Sequence, residues 1–141
     1  MSTNLAMQPV AEALYALLSA DSTLVGLTPG GIHGDLPQDP TYECLWFELQ
    51  DERDLRGFGT GSLPEITLRV HAYSLYGGKA KAQAVLARAI ALLKDAALAV
   101  DGWVQCGLIF YDDSVAIGDE ELNGVKVHEL AANFRIYVEG V

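Results

Sequence analysis

No lysine or arginine precedes Arg53, whereas Glu12, Asp21, Asp35, Asp39, Glu43, Glu48, Asp51 and Glu52 all do. The whole chain of 141 residues carries nine basic against 19 acidic side chains, a formal charge of −10. Such a balance argues against a phosphate backbone as the main ligand. Cysteine is scarce too. Cys44 and Cys106 have neither metal-knuckle nor redox-pair spacing and alternate with apolar residues, so both read as buried, reduced thiols of a cytosolic protein. No apolar run approaches the ~20 residues that a membrane helix needs. Met1 to Gln8 holds no basic residue and no long apolar core, so no secretory signal is expected.

Catalytic motifs are missing as well. Gly57-Phe58-Gly59-Thr60-Gly61 runs through Ser62 and Pro64 into a strand, with no Gly-Lys-Ser behind it. A phosphate loop needs a helix N-terminus aimed at the anion, so this is read as a loop. His33, His71 and His128 form no i, i+4 pair, and a metal site is not expected. Asp112-Asp113 and Asp119-Glu120-Glu121 lack the spacing of a calcium loop and read as solvated charge. Ser19, Ser62, Ser74 and Ser114 sit in no Gly-x-Ser-x-Gly elbow. The expectation is therefore a chain with no catalytic, cofactor-binding or metal-binding residues, and not an enzyme.

What the sequence does contain is a change of hydrophobic period. Ile66, Leu68, Val70 and Ala72 alternate with polar residues, as a strand with one buried face does. After Gly77 and Gly78, the residues Ala82, Leu86, Ala89, Ile90 and Leu93 recur at helical spacing, and this helix is expected to end near Ala97. An earlier helix is predicted over Pro9–Ala20, with the proline at its first position and Val10, Ala13, Leu14, Leu17 and Leu18 as its stripe. Residues 21–41, rich in glycine and proline, read as an irregular connector with a short extended piece at Ile32–His33. Tyr42–Gln50 reads as a strand, with Leu45, Phe47 and Leu49 on one side and Cys44 and Trp46 on the other. Apolar character on both sides implies burial on both faces, or a second face hidden by another subunit.

Asp51–Ser62 is predicted as a glycine-rich loop. Trp103–Tyr111 is predicted as a long strand with Val104, Cys106, Leu108 and Phe110 in phase, and Asp112–Gly124 as an acidic loop. The closing strand, Val125–Val138, switches apolar phase, which a bulge near His128–Glu129 would reconcile. There is no internal repeat or linker. The sum is a single α+β domain over residues 1–141, a mixed or antiparallel four-stranded sheet packed against two helices. A chain of this length buries roughly 68% of its unfolded surface.

The order helix, connector, strand, loop, strand, helix, strand, loop, strand resembles the phage tail-completion family of tail terminators and head–tail joining proteins. The resemblance rests on Ala13-Leu14-Tyr15-Ala16-Leu17-Leu18, Gly31-Ile32-His33, Leu36-Pro37-Gln38 and Tyr42. It continues through Val70-His71-Ala72-Tyr73-Ser74, Lys81-Ala82-Gln83 and Asn133-Phe134-Arg135-Ile136-Tyr137-Val138. Thr41 separates Pro40 from Tyr42, where the family often has proline directly before the tyrosine.

The resemblance implies a homohexameric ring, in the host cytoplasm during assembly and then in the virion. The ring would cap the tail tube at its head-proximal end and meet the tail-tube protein and the head–tail connectors. From the short apolar runs and the net charge of −10, no membrane partner and no sequence-specific nucleic acid are expected. The residues suited to such contacts are Arg53, Leu55, Arg56 and Phe58 in the glycine-rich segment, Lys81 and Arg88 two helical turns apart, and Trp46. A head-side connector or minor tail protein, and a non-catalytic ligand- or nucleic-acid-binding module, are the alternative readings.

Overall fold

The computed structural model describes residues 6–35, 38, 40–54, 63–75, 77–122 and 124–140. Its elements are α1 (Met7–Ser19), α2 (Ser22–Leu27), β1 (Ile32–His33), β2 (Cys44–Asp54), β3 (Pro64–Leu75), α3 (Lys79–Leu93), β4 (Trp103–Gln105), β5 (Phe110–Leu122) and β6 (Val125–Gly140). The fold is mixed α+β, as expected, but with six strands and three helices among the described residues rather than four and two. None of the described helices is long and apolar enough to cross a membrane.

Helix α1 buries Val10, Leu14 and Leu18, the i, i+4, i+8 stripe. It begins two residues before the predicted start, which places Pro9 third in the helix, still within the first turn, where no intrahelical N–H bond is lost. No side chain of its own caps it. The Glu52 carboxylate of β2 does so instead, accepting the backbone N–H groups of Ala6 and Met7 at 3.0 Å each.

Part of the expected connector is helical. Asp21 is the N-cap of α2 and accepts the Leu24 N–H at 2.8 Å. Beyond α2 the backbone crosses itself closely. Gly30 donates its N–H to the Glu43 carbonyl at 2.7 Å, and a Cβ at Gly30 would lie 1.9 Å from the Thr41 carbonyl oxygen. Only glycine fits there.

The sheet runs β1-β2-β3-β6, and the far side of β6 carries β5 along most of its length and β4 at its end. β1 is parallel to β2, and the other pairings are antiparallel. One face meets the helices. Leu45 and Phe47, Ile66, Leu68, Val70 and Ala72, and Ala132, Phe134, Ile136 and Val138 form the core there with α1 and α3.

Further sequence expectations need correction, the first being that Asp51–Asp54, predicted as the start of a loop, continues β2. The strand predicted over Trp103–Tyr111 is only three residues long, because the chain turns at Gly107, whose φ is +78°. Its phase is reversed: Val104, Leu108 and Phe110 are exposed, whereas Trp103 and Ile109 are buried, and Cys106, expected to be buried with the first set, is only half-buried. Asp112–Gly124, expected as a loop, mostly belongs to β5. The helix ends at Leu93, well before Ala97.

Finally, β6 has no bulge against β3, whose register runs unbroken from Glu65–Tyr137 to Leu75–Val127. The extra residues lie elsewhere in the sheet, at Gln50 of β2 against β3 and at Asp112 and Ile117 of β5 against β6. The phase switch in β6 arises because its second face is also covered, where Val127 packs with Cys44 and Tyr73. The same cluster, with Trp46 and Tyr42 packed against it, explains why β2 is apolar on both sides. Burial, with the Glu43 charge adding to it, pushes the Cys44 thiol up to about 11.

Candidate assembly interface

Away from the helices, the sheet presents a face tiled by cross-strand polar pairs. Period-two alternation puts Trp46 and Glu48 of β2, Arg69 and His71 of β3, and Glu129, Asn133, Arg135 and Tyr137 of β6 on this side. At its centre the His71 ring lies between two carboxylates. Its Nε2 is 3.1 Å from Glu48 Oε1 and its Nδ1 is 2.5 Å from Glu129 Oε2. The His71 and Glu129 side chains are each 6% exposed. The Trp46 ring stacks on His71, with centroids 4.0 Å apart and planes within 5°. Trp46 Nε1 is buried with no acceptor among the described residues, a local cost of about 1–3 kcal/mol.

The rows on either side repeat the pattern. Arg69 donates to Asn133 at 2.9 Å, and the Asn133 amide donates to Asp113 of β5 at 2.7 Å. Arg135 reaches Asp112 at 2.9 Å and lies over the Phe110 ring. The Tyr137 hydroxyl donates to Glu65 at 2.7 Å, and Arg53 pairs with the other Glu65 oxygen at 2.7 Å. The Tyr137 hydroxyl and then Arg53 hold the Glu65 carboxyl below its usual range. Arg135 with Asp112 and Arg53 with Glu65 are direct ion pairs, whereas Arg69 and Asp113 are linked only through the Asn133 amide. Such a surface offers a fixed charge pattern. Among the described residues, no three or more His, Cys, Asp or Glu side chains are grouped to hold a metal ion.

On the helical layer, Arg88 of α3 forks onto both oxygens of Asp21, at 2.7 and 2.9 Å. Arg88 and the Leu24 N–H together hold the Asp21 carboxyl at about 2. Lys81 is exposed and lines a cleft of about 370 Å³ with Leu27, Pro29 and Glu43.

The residues singled out from the sequence are thus dispersed. Trp46 and Arg53 lie on β2, half-buried and exposed respectively. Lys81 and Arg88 lie on α3, in the other layer, with Arg88 turned to its own chain. Leu55, Arg56 and Phe58 fall outside the described residues. Sequence reasoning passed over Glu48, His71 and Glu129 as the centre of the polar face. Their signal was the polar phase of three strands, which becomes meaningful only when the strands are known to be neighbours.

Twenty-five chains of known structure match this one. Among them is a chain titled "Virion of native gene transfer agent (GTA) particle", with a TM-score of 0.74 and 22% identity, the match covering 93% of this chain and 95% of that one. No curated protein matches the sequence. The family described as tail completion protein gp17 matches residues 12–139. That span begins within α1 and reaches the end of β6, so it takes in every strand, α2, α3 and the polar face. The chain belongs to the tail completion protein gp17 family.

Proposed function

We propose that the protein is a non-catalytic structural subunit of a phage-type particle, one that completes the tail and joins it to the head. The observation that carries this reading is the family match over residues 12–139. The fold shared with a chain of a gene transfer agent virion supports it. In this reading copies associate head to tail as a ring, a hexamer, on the head-proximal end of the tail tube, with the tube protein on one side and connector proteins on the other. Assembly takes place in the host cytoplasm and the ring ends in the virion. A ring needs two different faces on each subunit, and the paired sheet face and the α3 surface with Lys81 differ in the required way. Trp46 and the segment carrying Arg53, Leu55, Arg56 and Phe58 are the proposed contacts with the neighbour or the tube.

Sedimentation of the purified protein, alone and with tail-tube protein, tests the reading. A ring in either setting is the expected result. A monomer that ignores tube ends at high concentration overturns it. Shortening residues 54–60 to a tight turn should leave the fold intact and give overlong tails or heads without tails. Normal tail length in that variant refutes the docking role of the segment.

A further inference from the structure

Strand β5 is an edge. It pairs with β6 on one side, and no described strand lies on the other. Natural edges are commonly guarded by lysine, proline, bulges or a covering element. The β5 sequence has no lysine and no proline, and its two bulges, at Asp112 and Ile117, bracket a regular run, Asp113–Ala116. Val115 and Ile117 are exposed, Ile117 at 45%.

Next to this run the helical layer leaves a gap. Ser114 and Ala116 pair with Ala132 and Leu130, which places them on the α3 side of the sheet. Both are too small to reach the helix. A groove of about 270 Å³ remains between β5 and α3, lined by Leu86, Ala87, Ile90 and Leu130 beside Ser114 and Ala116.

An open strand edge beside an apolar groove is the arrangement that receives an extended peptide. Main-chain bonds supply the affinity and alternate side chains enter the groove. Charge selects the occupant. The thirteen residues of β5 include five acids and no base. The outer part of β2, beyond its pairing with β1, carries Glu48, Asp51, Glu52 and Asp54 against Arg53 alone. Two copies meeting through these edges would set like charges opposite each other, which is destabilising. We propose that the outer edge of β5 takes up an extended segment of another protein in which apolar residues alternate with lysine or arginine. The apolar side chains fill the groove under α3, and the basic ones turn to the opposite face of the sheet, which carries Asp113 at the start of the regular run. The site lies within one chain and so does not depend on the ring.

The test uses the purified full chain and a fluorescent peptide of alternating lysine and valine, with a glutamate–valine peptide as control. The basic peptide should bind saturably, weaken about tenfold between low and physiological salt, and slow amide exchange at Asp113–Ala116. The control should not bind. Ala116→Trp fills the groove at an exposed position and should abolish binding while leaving the circular dichroism unchanged. Val115→Arg, at an exposed position on the face to which the basic side chains turn, opposes the peptide's charge and should weaken binding independently. Absence of saturable binding, protection elsewhere in the sheet, or equal binding of the acidic peptide overturns the proposal. Tail-capping and sedimentation results do not bear on it.

Discussion

Arg88 and Asp21 hold each other across 67 residues of sequence, the guanidinium of α3 closing on the carboxylate that caps α2. One carboxylate thus fastens a short helix to a long one. Its folded pKa, about 2, lies below the ordinary 3.8. A depressed carboxylate stabilises the fold above its unfolded pKa, and that contribution fades as pH falls from about 4 towards 2. Thermal melts should show Asp21→Asn, which can still cap, losing less than Asp21→Ala. Both variants should lose this part of the acid dependence. Identical melting curves for all three proteins over that range would show that the pair contributes nothing.

Lys81 and Arg88 should therefore part company on mutation. Lys81→Glu changes an exposed charge, so the melting temperature should hardly move. If the α3 surface meets a neighbour, ring formation should weaken, more at low salt than at high. Arg88→Glu should destabilise the isolated subunit, because it sets a carboxylate against Asp21. Calorimetry beside sedimentation separates the two effects. Equal melting losses in both variants would contradict the assignment.

The buried carboxylate on the polar face makes a stronger demand. Glu129→Ala should destabilise the fold by about 1–3 kcal/mol, since it strips His71 of a buried hydrogen-bond partner. Urea titration followed by tryptophan fluorescence reads this directly, because the Trp46 ring stacks on His71. Wild-type stability and an unchanged emission spectrum would count against a structural role for the cluster.

The reversed phase after α3 can be checked with two truncations. Ile109→Ala, at a position 1% exposed, should cost about 2–5 kcal/mol. Leu108→Ala, at a half-exposed one, should stay within about 0.5 kcal/mol of wild type. Comparable losses at both positions would restore the phase that the sequence alone suggests.

Where one side of a segment faces a continuous core, its period could be read directly, as in β3, α1 and α3. Reading failed where local chemistry and tertiary role disagree. β5 is rich in Asp and Glu because it lies at an edge, and edge exposure mimics a loop. Its two extra residues also erase the alternation on which a strand assignment depends. The glycine and proline around α2 hid a helix held by Asp21 and Arg88, a contact invisible to local pattern. For the candidate interface, the residue types were legible but their grouping was not. Trp46 and His71 are 25 positions apart in sequence and stack only because β2 and β3 pair in one register.

Strand β6 is the partner of β3, β4 and β5 alike, and it follows all three along the chain. On a ribosome that order imposes a wait. β2 and β3 can pair early as a hairpin, yet the open side of β3 has no partner until β6 emerges, Tyr137 meeting Glu65 from 72 residues further on. The sheet therefore closes from β6, and a nascent chain halted before Val125 presents three strands, β3, β4 and β5, that lack this partner at once. Such edges invite misassembly.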